Sequence, residues 1–172
     1  MNCPKCRTVE LKKNSSHSPY LCGQCGGMWL LDAENAILSP ETIETTDADP
    51  GPVDNDQKTG LCPAGHGIMI RARVELDEPF YLERCTDCGG IWFDRGEWIR
   101  IAENNLADTL SSIWSRSWQR KQRDEKNRER FLRANRRLLG ESLFNATMEL
   151  TEMLREHPEK DRAIALLLQE VR

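Results

Sequence analysis

Cys62-Pro63-Ala64-Gly65-His66, a gap of eighteen residues, and then Cys85-Thr86-Asp87-Cys88-Gly89-Gly90-Ile91-Trp92 is the stretch that decides the fold of this chain. The same pattern stands earlier as Cys3-Pro4-Lys5-Cys6, fifteen residues, and Cys22-Gly23-Gln24-Cys25-Gly26-Gly27-Met28-Trp29. All seven cysteines fall in these two stretches, and His66 occupies the place of an eighth. Two residues between sulfurs let one tight turn aim both at a metal about 2.3 Å away, so hooks paired at this separation predict a zinc site. The count closes as two sets of four, with two Zn2+ expected per chain. One set is Cys3, Cys6, Cys22 and Cys25; the other is Cys62, His66, Cys85 and Cys88.

Other uses of the cysteines fit less well. A disulfide framework needs an oxidising compartment, and the opening Met1-Asn2-Cys3-Pro4 is not a positively charged start followed by an apolar signal stretch. Reduced thiols and a cytoplasmic location are therefore expected. A thioredoxin-like redox pair needs a single C-x-x-C at the end of a strand in a βαβ unit, not hooks in two matched pairs. A thiol switch, in which oxidation ejects the metal, stays open because so many thiolates are clustered.

Composition sets the fold class. Of 172 residues the first hundred contain too few large apolar side chains for one conventional core. Structural zinc contributes on the order of 10–16 kcal/mol of apparent binding energy, enough to fold about thirty residues that are otherwise unfolded. The expected class is a small zinc-stabilised α+β protein, with two short metal-bearing β-hairpins followed by an α-helical region. No apolar run approaches the roughly twenty residues that span a bilayer, so the chain reads as soluble, with no membrane partner.

Residues 39–60 hold Pro40, Pro50, Gly51 and Pro52, six acidic residues and one lysine, and predict a flexible acidic linker. On that reading residues 1–38 and 61–97 are separate beads. Their spacing suggests an internal duplication, because Trp29 and Trp92 each follow the last cysteine by four residues and Glu34 and Glu97 follow five later. Glycine after the last cysteine lets backbone amides approach the sulfurs and supplies the positive φ such a turn needs, while the tryptophan covers the apolar side of the site. Alternation over Ile68, Ile70, Ala72, Val74 and Leu76, with Phe80-Tyr81-Leu82 returning, predicts a hairpin open toward the metal.

Beyond it, Asp94-Arg95-Gly96-Glu97 reads as a helix start, with Asp94 as N-cap. Trp98, Ile101, Ala102, Leu106, Leu110, Ile113, Trp114 and Trp118 recur at helical spacing, so residues 98–137 are expected to be one long helix. That face suits packing on the second hairpin; stacking on bases is the sharper alternative. From Arg116 to Arg137 ten basic residues face three acidic ones, a local charge of +7 in a chain of net charge −4. Leu138-Leu139-Gly140 suggests a helix end. Residues 138–172 then carry two amphipathic stretches, lined by Leu143, Phe144, Met148, Thr151 and Leu154 and by Ala163, Ile164, Leu167, Leu168 and Val171, with His157-Pro158 between them.

The string C-P-x-C, a gap, C-x-x-C-G-G-x-W and D-x-G-E resembles the transcription factor zinc-finger family, zinc ribbons similar to that of transcription factor IIB. The second copy matches through Cys85-Thr86-Asp87-Cys88-Gly89-Gly90-Ile91-Trp92-Phe93-Asp94-Arg95-Gly96-Glu97 and departs at its first hook, where His66 replaces a cysteine one residue late. The first copy keeps four cysteines but has Leu31 and Ala33 where the pattern has Asp and Gly. The resemblance implies two tandem ribbons and leaves function open, because ribbons serve many roles.

Three functions compete. The first is a non-catalytic interaction module that assembles with a protein partner or with itself through the C-terminal helices. In the second, a nucleic-acid or transcription-associated binder uses the basic segment from Arg116 to Arg137, although residues 1–110 carry eighteen acidic against ten basic residues and a duplex would be repelled there. An enzyme is least expected: four protein ligands close each metal, and His17 and His157 belong to no catalytic set, so no catalytic residue is assigned.

Overall fold

The computed structural model describes residues 1–13, 18–31 and 55–171. His17, Glu34 and residues 39–54 of the expected linker lie outside them. The described residues form two compact units, Met1–Arg123 and Asp124–Arg172.

In the first unit six strands make one antiparallel sheet: β1 (Lys12–Lys13), β2 (Tyr20–Leu21), β3 (Met28–Leu30), β4 (Ile70–Val74), β5 (Phe80–Arg84) and β6 (Ile91–Phe93). Their order across the sheet is β1-β2-β3-β6-β5-β4. The first cysteine segment supplies one half and the second supplies the other. They meet at β3 and β6, where Met28 pairs with Phe93, Trp29 with Trp92 and Leu30 with Ile91. The expectation of two separate beads is thus corrected. The physical reason is in the strands themselves: Met-Trp-Leu and Ile-Trp-Phe have no polar position, so each must be covered on both faces and needs a strand beside it.

Alternation along the paired strands sorts the core into two layers. Met28, Leu30, Ile91 and Phe93 join Ala72, Val74, Phe80 and Leu82 under the helical segment. Trp29 and Trp92 point into the other layer, where they pack with Leu11, Met69 and the cysteines. The β4–β5 hairpin forms where the alternation predicts it, in the register Ile70–Arg84 to Val74–Phe80.

The helical segment differs from one long rod. Helix α1 (Glu97–Glu103) ends after two turns, a 3-10 turn spans Ala107–Ser112, and α2 (Arg116–Arg155) begins only afterwards. Asn105, at φ 54°, reverses the chain after α1; asparagine is the side chain after glycine that best tolerates this left-handed conformation. The apolar stripe still serves the sheet. Trp98, Ile101, Leu110 and Ile113 are buried, and Trp114 and Trp118 pack against them. Trp98 meets Phe93 edge to face, with ring centroids 5.5 Å apart. Trp98 is a core side chain, and Trp114 and Trp118 are partly buried against the same cluster.

The end of the expected linker is also packed. Asp56 accepts the Tyr81 N–H at 2.8 Å, and Gly60 donates to Glu83. In the second unit, α2 is interrupted at Gly140 (φ 75°, ψ 161°), where the Leu-Leu-Gly sequence suggests a helix end, and α3 (Lys160–Glu170) follows. Arg136 lies over the Phe144 ring, 4.8 Å from its centre. Eight residues along an unbroken helix rise about 12 Å, so the break is what brings these two side chains together. Among the described residues no helix is long and apolar enough to cross a membrane.

Candidate metal centres

Each centre is built from two knuckles. In the C-terminal knuckle of both halves the same backbone circuit closes: Cys22 N–H donates to Gly27 and Gly26 N–H to Cys22, and Cys85 N–H donates to Gly90 and Gly89 N–H to Cys85. Gly26 and Gly89 hold φ of 71° and 70°, the conformation that glycine adopts without a Cβ penalty. The N-terminal knuckles differ in length. Cys3-Pro4-Lys5-Cys6 turns through Arg7 at φ 64°, whereas the extra residue before His66 is absorbed by Gly65 and Gly67, both at positive φ, with Cys62 N–H donating to Gly67.

These turns place four donor atoms together twice. Cys3, Cys6, Cys22 and Cys25 form one group and Cys62, His66, Cys85 and Cys88 the other, each with all donor atoms within 4.8 Å of one another. Within the first, Cys3 Sγ is 3.6 Å from Cys25 Sγ and Cys22 Sγ is 3.8 Å from Cys6 Sγ. In the second, His66 presents Nδ1, 3.5 Å from Cys62 Sγ and 3.7 Å from Cys85 Sγ. Bonds of about 2.3 Å to the corners of a tetrahedron put the donors about 3.8 Å apart. Both donor sets therefore fit a four-coordinate metal such as zinc. All seven thiols are free of disulfides.

The surrounding dipoles favour thiolate. Cys6 N–H donates to Cys3 Sγ at 3.3 Å. The Cys3 thiol is lowered to about 5, first by its hydrogen bond with Cys25 and, against the effect of burial, by the amides of Cys6 and Lys5. Burial acts to raise Cys85, and the amides of Cys88 and Asp87 outweigh it, leaving that thiol at about 7. In the other direction burial lifts Cys6 and Cys88 to about 11. Amides of Gly27 and Gly90 oppose the rise at Cys25 and Cys88, the role expected of the glycine pairs. Four crowded sulfurs cannot all ionise without a cation between them, and a divalent metal supplies it.

The second glycine of each pair has a further task. A Cβ on Gly27 would lie 2.2 Å from Trp92 Cζ2, and one on Gly90 would lie 2.3 Å from Trp29 Cζ2. Each tryptophan thus seats on the knuckle of the opposite half, not on its own as expected. Sequence reasoning missed this exchange, although a small residue beside a large one in both copies was its signal.

It also missed a buried polar cluster between the halves. Lys5 Nζ is 2.9 Å from Glu83 Oε1 and 3.5 Å from Asp94 Oδ2. It also donates to the carbonyl oxygens of Asn55 and Lys58. Asp94 does not cap α1; its Oδ1 accepts the Trp92 indole N–H at 2.8 Å, and Gly96 stands at the cap. Glu97 reaches back to accept the Asp94 N–H at 2.8 Å. Burial, reinforced by the Asp94 charge, holds the Glu97 carboxyl well above the usual range. Leu31 stands where Asp94 does in the other half, and Trp29 Nε1 accordingly has no hydrogen-bond partner among the described residues.

With this geometry in view, the transcription factor zinc-finger family model matches residues 61–104. This segment is similar to zinc ribbons of the transcription factor IIB type. The match takes in the donor group Cys62, His66, Cys85 and Cys88, the β4–β5 hairpin, β6 and α1, and stops short of the four-cysteine group. No curated protein and no solved structure matches the chain. Among the described residues, His157 Nδ1 accepts the Glu159 N–H at 3.1 Å, after α2.

Proposed function

We propose that the protein is a non-catalytic interaction module that carries two zinc ions per chain, the ribbon and its N-terminal counterpart forming one body and the helices of the second unit mediating assembly with a second copy or a protein partner. The observation that supports this most is the apolar surface of those helices. Leu143, Met153, Leu166 and Leu168 are each more than half exposed, and an apolar groove of about 490 Å³ runs between Leu150, Leu154, Ile164 and Leu167. Apolar surface of this kind marks association sites. Closure of both centres by four protein donors leaves no coordination position for a substrate, in keeping with a structural metal. The test is Leu143→Gln with Leu167→Gln and Leu168→Gln, followed by sedimentation and by capture of partners; Phe144 is spared because it is buried. An oligomer should become monomeric or a captured partner should be lost, and an unchanged assembly state with unchanged capture would exclude the reading.

A second reading is favoured by the basic segment of α2, whose ten cations bind phosphate in a nucleic-acid or transcription-associated role. Its mark is salt. Replacing Arg120, Lys121, Arg123 and Arg128 by Gln should flatten the dependence of log affinity on log salt by about 3 to 4 units for a duplex. Affinity for DNA and RNA that is weak and unaffected by these changes would leave assembly as the sole reading.

A further inference from the structure

We infer that the two metal centres are thermodynamically coupled, so that loading either one raises the affinity of the other. The inference rests on the reading that both donor sets hold a metal, and goes beyond it in assigning the contacts that link them.

The first link is the exchange of tryptophans. Gly27 follows Cys25 by two residues and carries Trp92 against it; Gly90 follows Cys88 by two and carries Trp29. Both indoles are fully buried, at 0 % and 1 % exposure. A knuckle that opens when its metal leaves therefore releases the tryptophan of the opposite half. That tryptophan belongs to the strand whose neighbours hold the other centre, because Trp29 and Trp92 are partners in the central β3–β6 pair.

Lys5 is the second link. It lies between the ligands Cys3 and Cys6, yet its side chain is 3 % exposed and reaches Glu83 and Asp94 in the other half, themselves at 1 % and 6 %. Glu83 precedes the ligand Cys85 by two residues in β5, and Asp94 anchors the Trp92 indole. Opening the first knuckle withdraws an ammonium from two buried carboxylates, and breaking a buried ion pair by removing one partner is far costlier than never having built it. Nothing equivalent runs the other way: Ala64, Tyr20 and Leu31 occupy the positions matching Lys5, Glu83 and Asp94. The latch is one-sided, but coupling between two binding equilibria is equal from either side.

Cobalt(II), which reports a four-sulfur and a three-sulfur-one-nitrogen site by different visible bands, is the probe. In the full chain, Cys3→Ser with Cys25→Ser disables the first centre, and cobalt affinity at the second is measured by chelator competition. It should fall at least tenfold relative to the intact chain. Replacing the pair by apolar groups, Lys5→Met with Glu83→Met, should shrink that factor severalfold while both centres still load. An affinity at the second centre that stays within twofold overturns the coupling. Should the first variant not fold, Cys62→Ser with Cys88→Ser carries the same test, and affinity at the first centre within twofold of the intact chain is again the overturning result. An intact chain that binds no cobalt at one of the sets would instead sink the reading that both hold a metal.

Discussion

Two glycines that differ only in what surrounds them show how much one Cβ can decide. Gly90→Ala would drive a methyl group into the Trp29 ring, whereas Gly23 has nothing within 4 Å of the place a Cβ would take. Overpacking a fixed indole costs about 1–3 kcal/mol or more, and an open surface position about 0.5 kcal/mol at most. Chemical denaturation of the metal-loaded protein should thus separate Gly90→Ala from Gly23→Ala by at least about 0.5 kcal/mol; equal stabilities would mean that the indole is not seated there. Glu97 offers a prediction in pH. Its carboxyl is held well above the ordinary value of 4.5 by burial, so folding favours the protonated form. The resulting stabilisation is full below that ordinary value and is lost as pH rises through the folded one. Glu97→Gln keeps an acceptor for the Asp94 N–H and cannot ionise, so its stability relative to the native protein should improve as pH rises above the ordinary value of 4.5 toward the raised folded one. A difference constant over that range would place the native carboxyl among ordinary ones. The donor residues were legible in sequence because a knuckle is local and its spacing is its geometry. Lys5 was not, since lysine reads as surface and its partner Glu83 stands 78 positions away.

At the scale of elements, the β4–β5 hairpin followed from alternation, and the stripe from Trp98 to Trp118 correctly named core residues while misnaming their conformation. Periodicity reports which side chains face inward and is nearly blind to a reversal such as that at Asn105, where the stripe resumes in phase after the turn. Gly140 is the opposite case, a break written in the sequence. Its φ and ψ are open to glycine almost alone, so Gly140→Ala should cost about 1–3 kcal/mol or straighten the helix. If the helix straightens, Arg136 should leave the Phe144 ring; if the break is kept, the strain should appear as lost stability. The ring-current shift of the Arg136 side-chain protons in NMR, read beside chemical denaturation, checks this, and a persisting shift with unchanged stability would show that the contact does not depend on a glycine-only break.

For the molecule as a whole, the decisive contact is the β3–β6 pair, and no local pattern announces it. Cross-strand pairing between distant segments is visible in sequence only as strands too apolar to stand at an edge, which Met28-Trp29-Leu30 and Ile91-Trp92-Phe93 are. A protease site engineered between Leu31 and Asn55 should therefore yield two fragments that stay together through gel filtration and retain both metals. Separation of the fragments would mean that the sheet is held by chain connectivity and not by its seam. The same seam has a consequence for biosynthesis. Roughly sixty residues lie between Trp29 and its partner, and at about 5–20 residues per second they take about 3–12 s to translate. Throughout that interval the nascent N-terminal half presents an apolar strand with one open edge and a tryptophan with no knuckle to receive it, a surface that chaperones recognise. Metal capture by the first four cysteines can begin early, but the half they close is finished only when the ribosome has delivered the ribbon that completes its sheet.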